Sequence, residues 1–176
     1  MDFSELIHAR RSVRGFAAPA PHDALVSILE KAQQAPSWKN VQEARCYVVE
    51  GGDTLEAVRQ ALPEFNRRSS ANAALLVTTY VHGLAAFTKG EPDNELGDSW
   101  GVYDLGLRDA YLVLAAADAG YDTLIMGIRD ADAIRAALSI PENETILAVI
   151  AVGTRAKEPT LRPRKPLGEV ASFRED

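Results

Sequence analysis

With a single cysteine, Cys46, in 176 residues the chain can form no internal disulfide, and a reducing, cytoplasmic setting is expected. Long hydrophobic runs are missing too. The longest, Tyr111 to Ala117 and Ile146 to Val152, fall far short of the ~20 residues a membrane helix needs. The opening Met1-Asp2-Phe3-Ser4-Glu5 has neither a basic segment nor an apolar stretch, so no secretory signal is read there. Positive charge is the minority, 19 Lys and Arg against 25 Asp and Glu, for a net charge of −6. That balance speaks against nucleic acid or an anionic membrane as the main partner. No GxGxxG follows a strand, and GxxxxGK[ST], GxSxG and HExxH are all absent. Glu5-Leu6-Ile7-His8 has the E-x-x-H spacing of a di-metal helix, but only three histidines exist and no second motif answers it, so no metal site is expected. If the chain is an enzyme, its reactive centre therefore arrives with a cofactor.

What the chain does have is the composition of one globular domain, 47% hydrophobic and 25% charged. It also has two basic islands in an otherwise acidic sequence. His8 to Arg14 carries Arg10, Arg11 and Arg14 with no acid. Residues 154–168 carry Arg155, Lys157, Arg162, Arg164 and Lys165 against Glu158 alone. Like-charged islands repel unless something negative lies between them, so one small anion held by both ends of the chain is expected. The plainer alternative is two solvated charge runs.

The pattern of elements is mixed. Asp2 and Glu5 have capping-box spacing, and Phe3, Leu6 and Ile7 predict a helix over 3–11 that frays at Arg10. Leu25, Ile28, Leu29 and Ala32 predict a helix over 23–35, stopped by Pro36. The polar loop 36–42 follows, then a strand over 45–50, in which Cys46 is a small core residue, and a helix over 54–62. A strand over 73–81 leads into 82–103, rich in glycine and read as a lid loop with Phe87 and Trp100 as its aromatic faces. The helix expected over 104–119 is apolar all round, which requires a central position or a partner subunit. A strand over 122–127, a helix over 131–138 and a strand over 145–152 complete the core. After Gly153, Pro159, Pro163 and Pro166 predict an extended arm. The fold class is α+β, divided into a core of 1–153 and an arm of 154–176.

Four collinear segments fit one known pattern. Arg10-Arg11-Ser12-Val13-Arg14-Gly15-Phe16 is similar to the RRSxRxF opening of the nitroreductase family of FMN-dependent oxidoreductases, and Ala35-Pro36-Ser37-Trp38-Lys39-Asn40-Val41-Gln42 resembles its APSxxNxQ loop. The stretch from Asp104-Leu105-Gly106 through Gly120 to Ile125-Met126-Gly127 looks like its central helix and following turn. Ala148 to Gly153, with Arg162-Pro163-Arg164-Lys165-Pro166-Leu167-Gly168-Glu169-Val170, resembles its closing strand and tail.

The resemblance implies a mostly antiparallel sheet wrapped by helices, in a domain-swapped homodimer with FMN at the interface. It implies that Arg10, Arg11 and Ser12 hold the phosphate and ribityl end, with Arg162 or Arg164 completing the clamp, and that Arg14 lies near the flavin pyrimidine. Pro36, Ser37, Trp38, Asn40 and Gln42 would reach ribityl and ring from the partner subunit, and Ile125, Met126 and Gly127 would place backbone groups near N5. NAD(P)H would deliver hydride and be replaced, in ping-pong order, by a small electron-poor acceptor such as a nitroaromatic or quinone. A non-catalytic FMN-binding protein uses the same contacts and is the alternative; a phosphate-metabolite binder without flavin is a third. Three departures stand out. Glu43-Ala44 replaces a proline and aromatic, Gly168 replaces a glutamate, and the ring contacts of the middle third have only Asn66, Arg67 and Arg68 as candidates.

Overall fold

A computed structural model describes residues 2–174. Its organising element is one long strand. Thr145 to Val152 is apolar nearly throughout, and the strand built on it, β7 (Glu144–Arg155), is the spine of a five-stranded antiparallel sheet. In chain order the elements before it are α1 (Phe3–Ala9), β1 (Phe16–Pro19), α2 (His22–Ala32), β2 (Ala44–Val49), α3 (Gly52–Gln60), α4 (Glu64–Ser70) and β3 (Ala74–Val81). Then come the two-residue strands β4 (Phe87–Thr88) and β5 (Glu91–Pro92), α5 (Ser99–Asp118), β6 (Asp122–Met126) and α6 (Ala131–Leu138). A short helix, α7 (Leu167–Val170), lies in the arm.

Along one edge β7 pairs first with β3, from Val81↔Glu144 to Ala74↔Val152, and then with β1, Pro19↔Gly153. On the other edge it pairs with β6, Asp122↔Gly153. Strands thus crowd Gly153 from both sides; a Cβ there would meet the Ala18 carbonyl oxygen at 2.3 Å. β2 closes the sheet beyond β3.

Helices cover both faces, which is why β3 and β7 need no alternation of polar residues. Leu75, Val77, Val149 and Ala151 pack with Leu55 and Val58 of α3 and Ile134 of α6. Ala74, Leu76, Ile150 and Val152 pack on the opposite face with Leu25 and Ile28 of α2 and Leu112 and Ala116 of α5. Cys46 joins this second cluster, and burial pushes its thiol up to about 11.

Several sequence expectations are corrected. The first helix ends at Ala9, with Arg10 as its cap, and the second at Ala32. α4 is a helix that the sequence pattern does not predict. α5 begins at Ser99, so Trp100 and Tyr103 belong to a helix, and the segment before it contains a β4–β5 hairpin. α5 is not enclosed on every side in one chain: Tyr103 (57% exposed) and Tyr111 (43% exposed) leave an apolar stripe uncovered. In the arm, which carries the short helix α7, Leu161, Leu167, Val170 and Phe173 are all exposed.

Candidate functional site

The first basic island is placed by a few backbone bonds. Asp2 and Glu5 form the capping box, with Asp2 Oδ1 accepting from the Glu5 N–H at 2.9 Å and Glu5 Oε2 from the Asp2 N–H at 3.0 Å. Arg10 leaves the helix in extended conformation. Val13, fully buried, then donates its N–H to the Thr123 carbonyl at 3.0 Å, and Ser12 bridges Thr123 of β6. One buried anchor therefore fixes a segment whose other side chains are free to face out. Gly15 ties that segment to two distant parts of the chain: its N–H donates to the Ser69 carbonyl at 2.8 Å and its carbonyl accepts from Ala156 at 3.1 Å.

Those links bring the two islands together. Arg10, Arg11, Ser12, Arg14, Arg162 and Arg164 line one cavity of about 410 Å³. Among the described residues none of these five arginines has a carboxylate partner; Glu158, at the cavity wall, is held by Arg155 at 2.7 Å. Burial, then the Arg164 and Arg11 guanidiniums, hold the pKa of Arg10 below the ordinary arginine value. Proximity to Arg164 joins position 10 to position 164 electrostatically. Such a set has the charge and donor geometry that suit an anion.

The loop after α2 forms a second wall elsewhere. Trp38 to Asn40 makes one tight turn, and Lys39, Asn40 and Gln42 all have positive φ (45°, 58° and 51°) without a glycine among them. Strain of this kind persists only where surrounding contacts impose it, and it gathers at binding sites. Here the Ser37 hydroxyl accepts the Gln42 N–H at 3.0 Å, and Asp104 Oδ2 accepts the Trp38 N–H at 2.7 Å. Trp38 lies 5.1 Å from Trp100, which meets Tyr103 edge-on at 5.0 Å. Lys39 Nζ donates to Thr88 at 2.8 Å and Asp93 at 2.9 Å, binding the loop to the β4–β5 hairpin. Pro36, Ser37 and Gln42 line a different cavity, of about 330 Å³, with Glu43 and Asp104. The structure does not bring this loop to the arginines of its own chain.

The third group is split. Ile125 is 50% exposed, whereas the Met126 side chain is 2% exposed and belongs to the core, leaving only backbone for any contact. Gly127 is exposed, its carbonyl accepting from Arg129 at 2.9 Å. The three middle-third candidates also separate. Asn66 is buried and donates to the Ile128 carbonyl at 3.1 Å, so it positions the turn. Arg67 donates to Gln60. Arg68 alone shares a cavity with Arg14. The sequence reading did not single out Asp104 or Glu43 as lining this cavity, although the Glu43 departure from the resembled pattern was visible.

A family model described as the nitroreductase family matches residues 7–154. The chain belongs to the nitroreductase family. This membership agrees with the folds it is similar to. A nitroreductase family protein of Streptococcus pneumoniae TIGR4 superposes with a TM-score of 0.85 at 22% identity, over 98% of this chain and 100% of that one. A structure described as that of an oxidoreductase containing FMN gives a TM-score of 0.81 at 26% identity, over 95% and 89% of the two chains. An NADH dehydrogenase of Thermus thermophilus is 27% identical over 94% of this chain and 92% of its own. Among the described residues no helix is long and apolar enough to cross a membrane.

Proposed function

We propose that this nitroreductase-family enzyme is an FMN-dependent NAD(P)H oxidoreductase whose complete flavin site forms between two copies of the chain. The observation that carries the reading is the meeting of Arg10, Arg11, Arg162 and Arg164 around one cavity without a counter-ion. A phosphate dianion fits that set, because guanidiniums keep their charge and offer paired donors. Ser12 adds a hydroxyl at the same wall. Arg14 stands where this cavity meets the one lined by Gly15 and Arg68, a position suited to a cation beside the polar edge of a flavin. Bound FMN supplies a ring that accepts hydride from NAD(P)H and passes electrons to an electron-poor acceptor, such as a nitroaromatic or quinone, in ping-pong order.

The chain's own residues bind and orient. Arg10 and Arg164 hold the phosphate, and Arg14 stabilises negative charge at the pyrimidine edge. Ser37, Trp38, Asn40 and Gln42 serve the arginine cavity of the partner subunit, which explains why they lie apart from it in one chain. The uncovered α5 stripe and the exposed apolar side chains of the 154–176 arm are the surfaces that such a homodimer of 1–153 cores would bury. The 82–98 segment, pinned by Lys39, is the acceptor-selecting lid.

The test is a visible spectrum of the purified protein, followed by NADPH without air and then menadione or a nitrofuran. A yellow protein that bleaches and turns over is expected. Tight FMN without turnover would overturn the catalytic reading, and a colourless protein indifferent to FMN would overturn the cofactor as well. Exchanging residues 82–98 is expected to change acceptor preference and leave flavin affinity intact; loss of flavin would remove the lid role.

A further inference from the structure

Glu43 closes the strained loop and opens β2, with its carbonyl accepting the Val81 N–H at 3.0 Å. Its side chain is 0% exposed, and neither carboxylate oxygen has a hydrogen-bond partner. It lines the same cavity as Asp104, which is itself 5% exposed. A buried carboxylate with no donor is too costly to persist as an ion, so it takes up a proton instead.

The surrounding charges are of both signs. α5 presents Asp104 and Arg108, with Asp109 beyond, and β2 presents Arg45 and the Cys46 thiol; the end of α2 presents only uncharged groups. Arg45 is committed elsewhere, donating to the Gln42 and Ala44 carbonyls at 2.8 and 3.0 Å. Burial first, and the neighbouring Asp104 after it, push the Glu43 carboxyl up to about 7. Asp104 meanwhile holds the Trp38 N–H, and with it the start of the loop.

We propose that Glu43 is a positioning residue whose neutral carboxyl keeps the Ser37–Gln42 loop in place through Asp104, and whose ionisation loosens that loop. Neutral Glu43 places no added charge beside Asp104, whose Oδ2 accepts the Trp38 N–H. Ionised Glu43 puts a negative charge next to the Asp104 carboxyl in one cavity, and relief comes at the loop, whose Lys39, Asn40 and Gln42 are already strained. The effect on flavin rests on the reading that this loop serves the partner's FMN.

Trp38 and Trp100 are the two tryptophans of the chain and lie in ring contact, so tryptophan emission reports on this loop. Emission of the flavin-free protein is followed from pH 5.5 to 8.5, alongside the FMN dissociation constant, in wild type and Glu43→Gln. Wild type is expected to show a transition centred near 7 and FMN affinity about tenfold weaker at the alkaline end, as one proton's linkage allows. Glu43→Gln is expected to show neither, and to hold the acid-side affinity throughout. A flat wild-type emission trace, or the same transition in Glu43→Gln, overturns the proposal. Should Glu43→Gln fail to fold, Asp104→Asn decides: removing that charge must move the emission transition to lower pH, and an unmoved midpoint overturns the proposal. Failure to bind FMN at any pH would sink the flavin reading and leave the emission test standing.

Discussion

Two cavities in this chain gather charged side chains, and they differ in how that charge can be met. Around Arg10 and Arg164 the charge is carried by guanidiniums, which keep their protons at any working pH, so the cavity stays positive until an anion enters. Around Glu43 the charge belongs to a carboxyl, which can neutralise itself by taking a proton. The first cavity suits an anionic ligand, and the second responds to pH. Side-chain chemistry, more than the number of unpaired charges, tells which kind of answer a site requires.

The comparison would break most severely at the face where the proposed homodimer joins. Tyr111→Asp places a charge on the exposed stripe of α5, and a buried unpaired charge costs several kcal/mol. The variant is expected to sediment as a monomer and to release flavin; a monomer that keeps flavin would show that the arginines suffice without a partner's loop. Next in size, Arg10→Ala is expected to weaken FMN binding by roughly 1.5–3 kcal/mol, the worth of a charged hydrogen bond. Flavin fluorescence titration measures it, and unchanged affinity would remove Arg10 from the clamp.

The acidic cavity is probed through stability. The Glu43 carboxyl lies at about 7 in the folded chain and ordinarily at 4.5, so the folded state binds the extra proton between those values. Its contribution is intact below 4.5 and is lost as pH rises through 7. Asp109, pushed up to about 6 by burial, acts in the same direction. Glu43→Gln is expected to be about 1–3 kcal/mol more stable than wild type at pH 8 and to lose that advantage near pH 5, followed by thermal unfolding. Equal stability at both pH values would show that the carboxyl is solvated after all. The smallest effect is expected from Lys39→Ala. Its ion pair with Asp93 is exposed, so stability should fall by less than about 1 kcal/mol, while the KM for acceptors shifts as the hairpin loosens. An unaltered KM would separate the hairpin from acceptor choice.

Where each element draws on local signals, the sequence showed it. α6 matched at both ends because Asp130 caps it, accepting the Ala133 N–H, and Ile134 anchors it. β3 and β7 were visible as apolar runs. The misses have physical causes. Gly97 and Gly101 read as loop punctuation, yet Gly101 lies inside α5 because a Cβ there would strike the Tyr80 ring at 2.2 Å. α4 buries Asn66 and Ser70, polar residues satisfied by the Ile128 carbonyl and by the helix itself, so it shows no apolar stripe. Of the candidate site, the arginines were legible as charge islands, and the family resemblance implied that they meet. The Glu43–Asp104 pair was not, since 61 positions separate two residues joined only by the packing of β2 against α5.

The Gly15 peptide, sewn on one side to Ser69 and on the other to Ala156, ties three distant stretches of the chain at one point. One wall of the arginine cavity comes from residues 10–14 and the other from residues 157–164. On the proposed reading, a chain cut before residue 162 would lose two of the five cavity arginines and hold its cofactor less well.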